Sequence, residues 1–193
     1  AGENTDSWFK CTVEVPQGKT GVFSWKAIME DARPSSLIVF LDGERIMYNM
    51  QRPYIDPFDM SGKICLTEGK HEIMYDHYIH FDELPQRAYV WDLDFELLET
   101  VADNATLEFD SVDFGETYYD NLPVPMKQEI TLINLGTNPL KVLSVESDGN
   151  FSGTVPEMTA PRAGEIKVPL LWNASGVGVD NGVVTIHTTG GDL

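Results

Sequence analysis

Leu37-Ile-Val-Phe-Leu-Asp-Gly-Glu-Arg-Ile-Met-Tyr-Asn49 decides the fold class. Two apolar-rich runs flank Asp42-Gly43, and Asp-Gly supplies the positive φ angles that a two-residue type I′ turn requires. The reading is a hairpin, with strands Leu37–Leu41 and Arg45–Asn49. The same grammar extends to both sides. Trp8–Val15 and Gly21–Met29 precede the hairpin, and Lys63–Leu66, His71–Ile79 and Ala88–Leu98 follow it. Turn formers separate them: Pro16-Gln-Gly18, Arg33-Pro-Ser-Ser36 and Glu68-Gly69. Ser24–Asp31 is the one helix-like window of this half. It is short and bracketed by β-branched and aromatic residues, so it reads as a strand end followed by a loop. Gln51–Met60, with two prolines and two aspartates, reads as a long loop.

A second strand series begins beyond the polar stretch Glu99-Thr-Val-Ala-Asp-Asn-Ala105. It comprises Thr106–Phe109, Lys127–Ile133, Leu140–Glu146, Phe151–Val155, Glu165–Leu171 and Gly182–Thr188. Lys127–Ile133 turns apolar on both sides near its end, as a central strand does. Ile166, Val168 and Leu170 form one buried stripe by period-two alternation. Strands at this spacing, without intervening helical patterns, predict an all-β protein of two tandem β-sandwiches, residues 1–101 and 102–193.

The chain has 193 residues, 42% of them hydrophobic and 23% charged, which is a globular composition. No run approaches the roughly 20 apolar residues of a membrane helix, so no membrane insertion is expected. Thirteen basic against 31 acidic side chains give a net charge of −18. A field of that sign repels phosphate backbones, so nucleic acid is excluded as an expected partner. The N-terminal Ala-Gly-Glu-Asn-Thr-Asp has neither a basic nor an apolar leader region, so any signal peptide is expected to have been removed. The C-terminal Thr-Gly-Gly-Asp-Leu directly follows a strand, which suggests that further domains of a larger polypeptide continue from it.

The second half resembles a known family. Leu107-Glu-Phe109, Val112-Asp-Phe-Gly115, Gln128-Glu-Ile-Thr-Leu-Ile-Asn-Leu-Gly136, Asn138-Pro-Leu140 and Gly149-Asn-Phe-Ser152 are similar to the abnormal-spindle/hydin (choice-of-anchor) type of immunoglobulin-like domain. The resemblance implies a seven-stranded sandwich acting as an interaction or spacer module. Within it, Asn134-Leu-Gly136 is expected to close a turn needing positive φ, and Phe114 and Phe151 to plug the core. The first half resembles, more weakly, the jelly-roll modules of bacterial surface proteins, related to MAM and concanavalin-like domains. Val22-Phe-Ser-Trp-Lys26, Glu68-Gly-Lys-His71 and Trp91-Asp-Leu-Asp-Phe95 carry that likeness. The family's aspartate- and glycine-rich approach to the last strand is Leu84-Pro-Gln-Arg-Ala88 here, which argues against a calcium or sugar site in that loop.

Chemistry-bearing residues are few. Cys11 and Cys65 are either a disulfide across a sandwich or two buried thiols, and both readings stay open. His71, His77, His80, Asp76 and Asp82 form the one cluster with metal-ligand character, with His71 and His77 the candidate pair on one strand face. On a strand these groups do not converge as zinc requires, which favours structural histidines. Asp92 and Asp94 alternate on one strand and could stand at glycosidase spacing, but nothing in the pattern builds the apolar pocket a raised carboxyl needs. Tyr48, Tyr54 and Phe58, in or beside the Pro-rich loop, are candidate stacking residues for a sugar or peptide, as are Tyr118 and Tyr119. No nucleophile elbow, zinc-protease, P-loop or dinucleotide motif occurs.

These observations predict a non-catalytic module pair of a larger secreted or surface-attached bacterial protein, serving adhesion, ligand presentation or spacing. A carbohydrate-binding accessory module is the alternative, and an enzyme the remote one. Expected partners are a glycan or a host or matrix protein. No cofactor is expected, with calcium left open. The expected location is extracellular or at the cell surface, with the periplasm left open.

Overall fold

The computed structural model describes residues 5–30, 35–50, 58–79, 87–116, 125–174 and 176–193. None of these is helical. The chain is all-β, with antiparallel sheets of the sandwich class, and divides into two compact units, Ala1–Leu98 and Glu99–Leu193.

The first unit contains β1 (Thr5–Val15), β2 (Lys19–Glu30), β3 (Ser35–Leu41), β4 (Glu44–Met50), β5 (Phe58–Asp59), β6 (Gly62–Leu66), β7 (Gly69–Ile79) and β8 (Arg87–Glu99). One sheet has the order β1-β7-β3-β4. In the other, β5 and β6 pair along β2 in one continuous register, from Met29↔Phe58 to Gly21↔Leu66, and β8 also pairs with β2. The Asp42-Gly43 hairpin forms with φ of 52° and 84°, the double positive of a type I′ turn, and Leu41 faces Glu44 across it. The helix-like window Ser24–Asp31 is strand as far as Glu30, because Trp25, Ala27 and Met29 form one buried stripe at strand period. The long-loop reading of Gln51–Met60 needs correction at its end. Phe58–Asp59 is strand, held by the extended register on β2 and by Met60 N–H donating to Ala27 O.

Alternation fixes what is buried. Val15, Leu37, Val39, Ile73 and Tyr75 from one sheet meet Phe23, Trp25, Ala27, Met29 and Leu66 from the other. Trp25 lies edge-on to Tyr75, with centroids 5.8 Å apart, and its Nε1 donates to Met60 O at 2.9 Å. Phe9 stacks on the far side of Tyr75 at 4.8 Å. Gly62 is obligatory here, since a Cβ would lie 2.4 Å from the Trp25 ring.

The second unit contains β9 (Ala105–Leu107), β10 (Met126–Asn134), β11 (Leu140–Ser147), β12 (Phe151–Gly153), β13 (Thr159–Ala160), β14 (Glu165–Trp172), β15 (Val184–Thr188) and β16 (Gly191–Asp192). Its sheets run β12-β14-β10-β9 and β13-β11-β15-β16. The stripe Ile166, Val168 and Leu170 is buried, and it packs with Ile130, Leu132, Leu140, Val142 and Ile186. Phe114 is partly buried against this cluster and meets Phe151 and Trp172, with centroids 5.7 and 6.3 Å away. At the C-terminal end, β16 is tied to β15 by Thr188 Oγ1 donating to Gly191 O and by His187 Nδ1, 2.8 Å from Asp192 Oδ1. The Asp192 hydrogen bond raises the His187 pKa and outweighs the opposing effect of desolvation; the charges of Asp192 and Glu146 add to the rise.

The turn after β10 differs from expectation. Gly136 does not adopt positive φ. Glycine is needed because a Cβ would sit 2.5 Å from Ala102 O and 2.8 Å from Asn104 N. The turn is held by Asn134, 1% exposed. Its Nδ2 donates to Asn138 O and Ala160 O, at 2.8 and 3.0 Å, and its Oδ1 accepts from Gly136 N–H at 2.9 Å. One side chain thereby ties β10, the turn and β13 together.

Two stability outcomes follow. Asn134→Ala strands buried backbone groups and lowers unfolding free energy by about 3 kcal/mol or more in a urea titration. Tyr75→Phe removes a hydroxyl that is buried without a hydrogen-bond partner, so stability stays level or rises by about 1 kcal/mol; a loss above about 1 kcal/mol contradicts the orphaned hydroxyl.

Candidate ligand-binding face

The sheet β1-β7-β3-β4 has one face in the core and one turned away from it. On β1, Phe9, Cys11, Val13 and Val15 share the core parity, which leaves Trp8, Lys10, Thr12 and Glu14 on the outer face. On β7 the outer parity is Glu72, Met74, Asp76 and Tyr78, and on β3 it includes Ile38 and Phe40. Register lines these residues up across the sheet. Trp8, Asp76 and Ile38 form one row, with Tyr48 the β4 partner of Ile38. Lys10, Met74, Phe40 and Arg45 form the next. Four strands at about 4.8 Å spacing make a strip about 14 Å wide.

Trp8 dominates this face. It is 62% exposed, and Lys10 Nζ lies 5.9 Å from its ring centroid while pairing with Glu72 at 2.8 Å. Met74 and Tyr78 on β7 and Ile38 and Phe40 on β3 are half-buried on the same face. An exposed indole on a flat strip, beside fixed charged groups, is an arrangement for stacking and hydrogen bonding. The sequence signal was present: a large aromatic residue on the polar parity of a strand whose other parity reads Phe, Cys, Val, Val.

Asp42 anchors the turn end of the sheet. Its Oδ1 accepts from Glu72 N–H at 2.8 Å, and its Oδ2 lies 2.7 Å from His71 Nδ1. His71 Nε2 lies 2.9 Å from Thr67 O, so both ring nitrogens face acceptors within the fold. Burial acts to raise the Asp42 carboxyl, but the Glu72 N–H and the His71 ring outweigh it and hold its pKa below the usual value.

The residues singled out from sequence are dispersed. His71 and His77 share the core parity of β7 but stand six residues apart, about 20 Å along a strand. His77 is 8% exposed, with Ile73 and Tyr75 between the two. His80 and Asp82 lie outside the described residues, as do Tyr54, Tyr118 and Tyr119. Among the described residues no three His, Cys, Asp or Glu side chains are placed to hold one metal ion. Tyr48 lies in β4 and Phe58 in β5, strands of different sheets. Of the two readings left open for the cysteines, the structure has the free thiols, at both Cys11 and Cys65. Cys11 has the core parity of β1, whereas Cys65 shares the parity of Lys63 on β6, opposite to that of Ile64 and Leu66, which pack with the core. Asp92 and Asp94 are both exposed, and Asp92 pairs with Lys26 at 3.4 Å.

In the second unit, Lys127, Glu129, Thr131, Lys167 and Pro169 line a shallow groove on the outer face of β10 and β14, spanned by the Lys167–Glu129 contact at 4.0 Å. Comparison with known families and proteins finds no family model that matches the chain and no match among curated proteins.

The Asp42 clamp has a pH signature. A lowered carboxyl pKa contributes stability that is present above the unfolded value near 4 and lost as pH falls through the folded value. Asn also suits a type I′ turn, so Asp42→Asn keeps the turn and removes the charge. The variant loses less than about 1 kcal/mol at pH 7, because the carboxylate is 45% exposed and screened. Its deficit shrinks to nothing below the folded pKa, which thermal melts from pH 7 to pH 2 measure.

Proposed function

We propose that the chain is a non-catalytic module pair of a larger secreted or surface-attached bacterial protein, and that its first unit binds ligand through the outer face of β1-β7-β3-β4. The observation that carries this reading is Trp8, a tryptophan 62% exposed on the edge strand β1 and in register with a strip of half-buried aromatic and aliphatic side chains on β7 and β3. Monomeric proteins seldom leave such a patch uncovered without use. The described acids and histidines support a non-catalytic reading: they are dispersed across strands, and His71 and Asp42 are committed to each other.

The second unit is read as a spacer of immunoglobulin type. Its strand division supports this, with β9, β10, β14 and β12 on one sheet and β11, β15 and β16 on the other, as in the ABED and CFG sheets of that sandwich, and with the two-residue β13 added at the free edge of β11. The first unit's chain passes repeatedly between its two sheets, in keeping with a jelly-roll-like module. A carbohydrate is the ligand class favoured by the indole face, since sugar rings stack on flat aromatics while their hydroxyls meet groups such as Asp76, Lys10 and Arg45.

The test is a screen of the purified chain against glycans and matrix proteins, with calcium and with chelator, repeated with Trp8→Ala. Saturable binding is expected, weakened about 3- to 10-fold by the substitution at an unchanged melting temperature, since one aromatic contact is worth about 0.5–1.5 kcal/mol. Binding that Trp8→Ala leaves intact removes this face from the account.

A further inference from the structure

Strand β8, at 13 residues, is the longest of the described strands, and among the described residues it pairs with β2 alone. β5 and β6 occupy the other edge of β2, so among the described residues β8 ends its sheet. Its outer edge presents backbone N–H and C=O groups that a neighbouring strand would satisfy. Natural edges are commonly blunted by shortness, by Pro or by Lys. β8 is long and contains neither Pro nor Lys.

Two features shape the edge. Asp92 has φ of 48°, a left-handed residue inside a strand, and side-chain parity changes there. Ala88 and Val90 pack on the core before it, and Phe95 packs after it. Beyond the change, Leu93 and Leu97 are 44% and 43% exposed and alternate with the exposed acids Asp94 and Glu96. The result is an open edge with apolar side chains on one side and carboxylates on the other.

Charge selects the occupant. A second copy paired antiparallel on β8, with its centre at Leu93, Asp94 or Phe95, would set acidic side chains directly opposite one another. It would also join two chains that each carry −18. A strand with Lys or Arg at alternate positions would instead lay its cations against Asp94 and Glu96 and its apolar residues along Leu93 and Leu97. We propose that β8 is an acceptor edge for an extended, basic segment of a protein partner, which adds to the sheet as a further strand. Main-chain hydrogen bonds supply the affinity and the alternating pattern the specificity. This binding is separate from that assigned to the Trp8 face.

The experiment uses the whole chain and a fluorescein-labelled peptide of four Lys-Val repeats, with anisotropy for affinity and hydrogen exchange for location. A second peptide of the same sequence carries N-methyl groups at alternate backbone nitrogens, which keeps the charge and removes the strand's donors. Expected are saturable binding of the first peptide, at least 10-fold slower exchange in β8, and a 10-fold or greater loss with the methylated peptide. The double substitution Asp94→Lys with Glu96→Lys, at exposed positions, weakens binding similarly at an unchanged melting temperature. Trp8→Ala leaves it unaltered, which separates this proposal from the reading of the outer face. The proposal is overturned if the first peptide does not bind, if both peptides bind equally, if protection falls on β1 and β7 instead, or if sedimentation shows a dimer with β8 protected in the absence of peptide.

Discussion

The double pairing of β7 is the constraint on which the first unit depends. All eleven of its residues are in register with β1, from Gly69↔Val15 to Ile79↔Thr5, and its last seven are in register with β3. A shift of one residue on either side would exchange the two faces of a strand. Ile73, Tyr75 and His77 would leave the core, and Met74 and Asp76 would enter it. The rows that align Trp8 with Asp76 and Ile38, and Lys10 with Met74 and Phe40, follow from this register. The outer face is thus a by-product of burying the inner one. Asp42 reinforces the register at one end: its N–H donates to Glu72 O while its carboxylate holds Glu72 N–H and the His71 ring.

The second unit solves the same problem with a buried polar side chain. Asn134 closes β10 and hydrogen-bonds backbone on the turn and on β13, the outermost strand of the facing sheet. A buried amide is costly unless every bond is made. Its geometry accepts few alternatives, so it specifies the turn more tightly than an apolar residue could. The two units therefore set their turns differently, one by a half-exposed carboxylate and one by a buried amide.

Much of this was legible in the sequence because period-two alternation and turn chemistry are local. Asp42-Gly43 specifies its hairpin without reference to the rest of the chain. The stripes Ile166-Val168-Leu170 and Trp25-Ala27-Met29 reveal their buried sides by spacing alone. The two-residue strands β5, β13 and β16 were not legible, because a pair of residues carries no period and only the partner strand defines them. Gly136 shows a different limit. Its position was readable, but its reason is a close approach to Ala102 and Asn104, some thirty residues earlier. Trp8 lay between the two cases. Its parity was readable, yet its neighbours across the face belong to β3 and β7, and only register brings them together. The cysteines needed the same information, since alternation places each thiol on a strand face but not that face relative to the other sheet.

The two thiols also give the first unit a built-in stopwatch. A buried sulfur reacts with an alkylating reagent only as fast as the structure around it opens. Cys11, partly exposed, lies on the strand that zips to β7, and Cys65, 7% exposed, lies on the strand that zips to β2. Each sheet therefore carries one chemical clock of its own fluctuations. Burial pushes the Cys11 thiol pKa up, so little reactive thiolate is present at neutral pH while its sheet stays closed. Comparing the two labelling rates would tell whether the sheets breathe as one body or come apart separately, without introducing a single foreign residue.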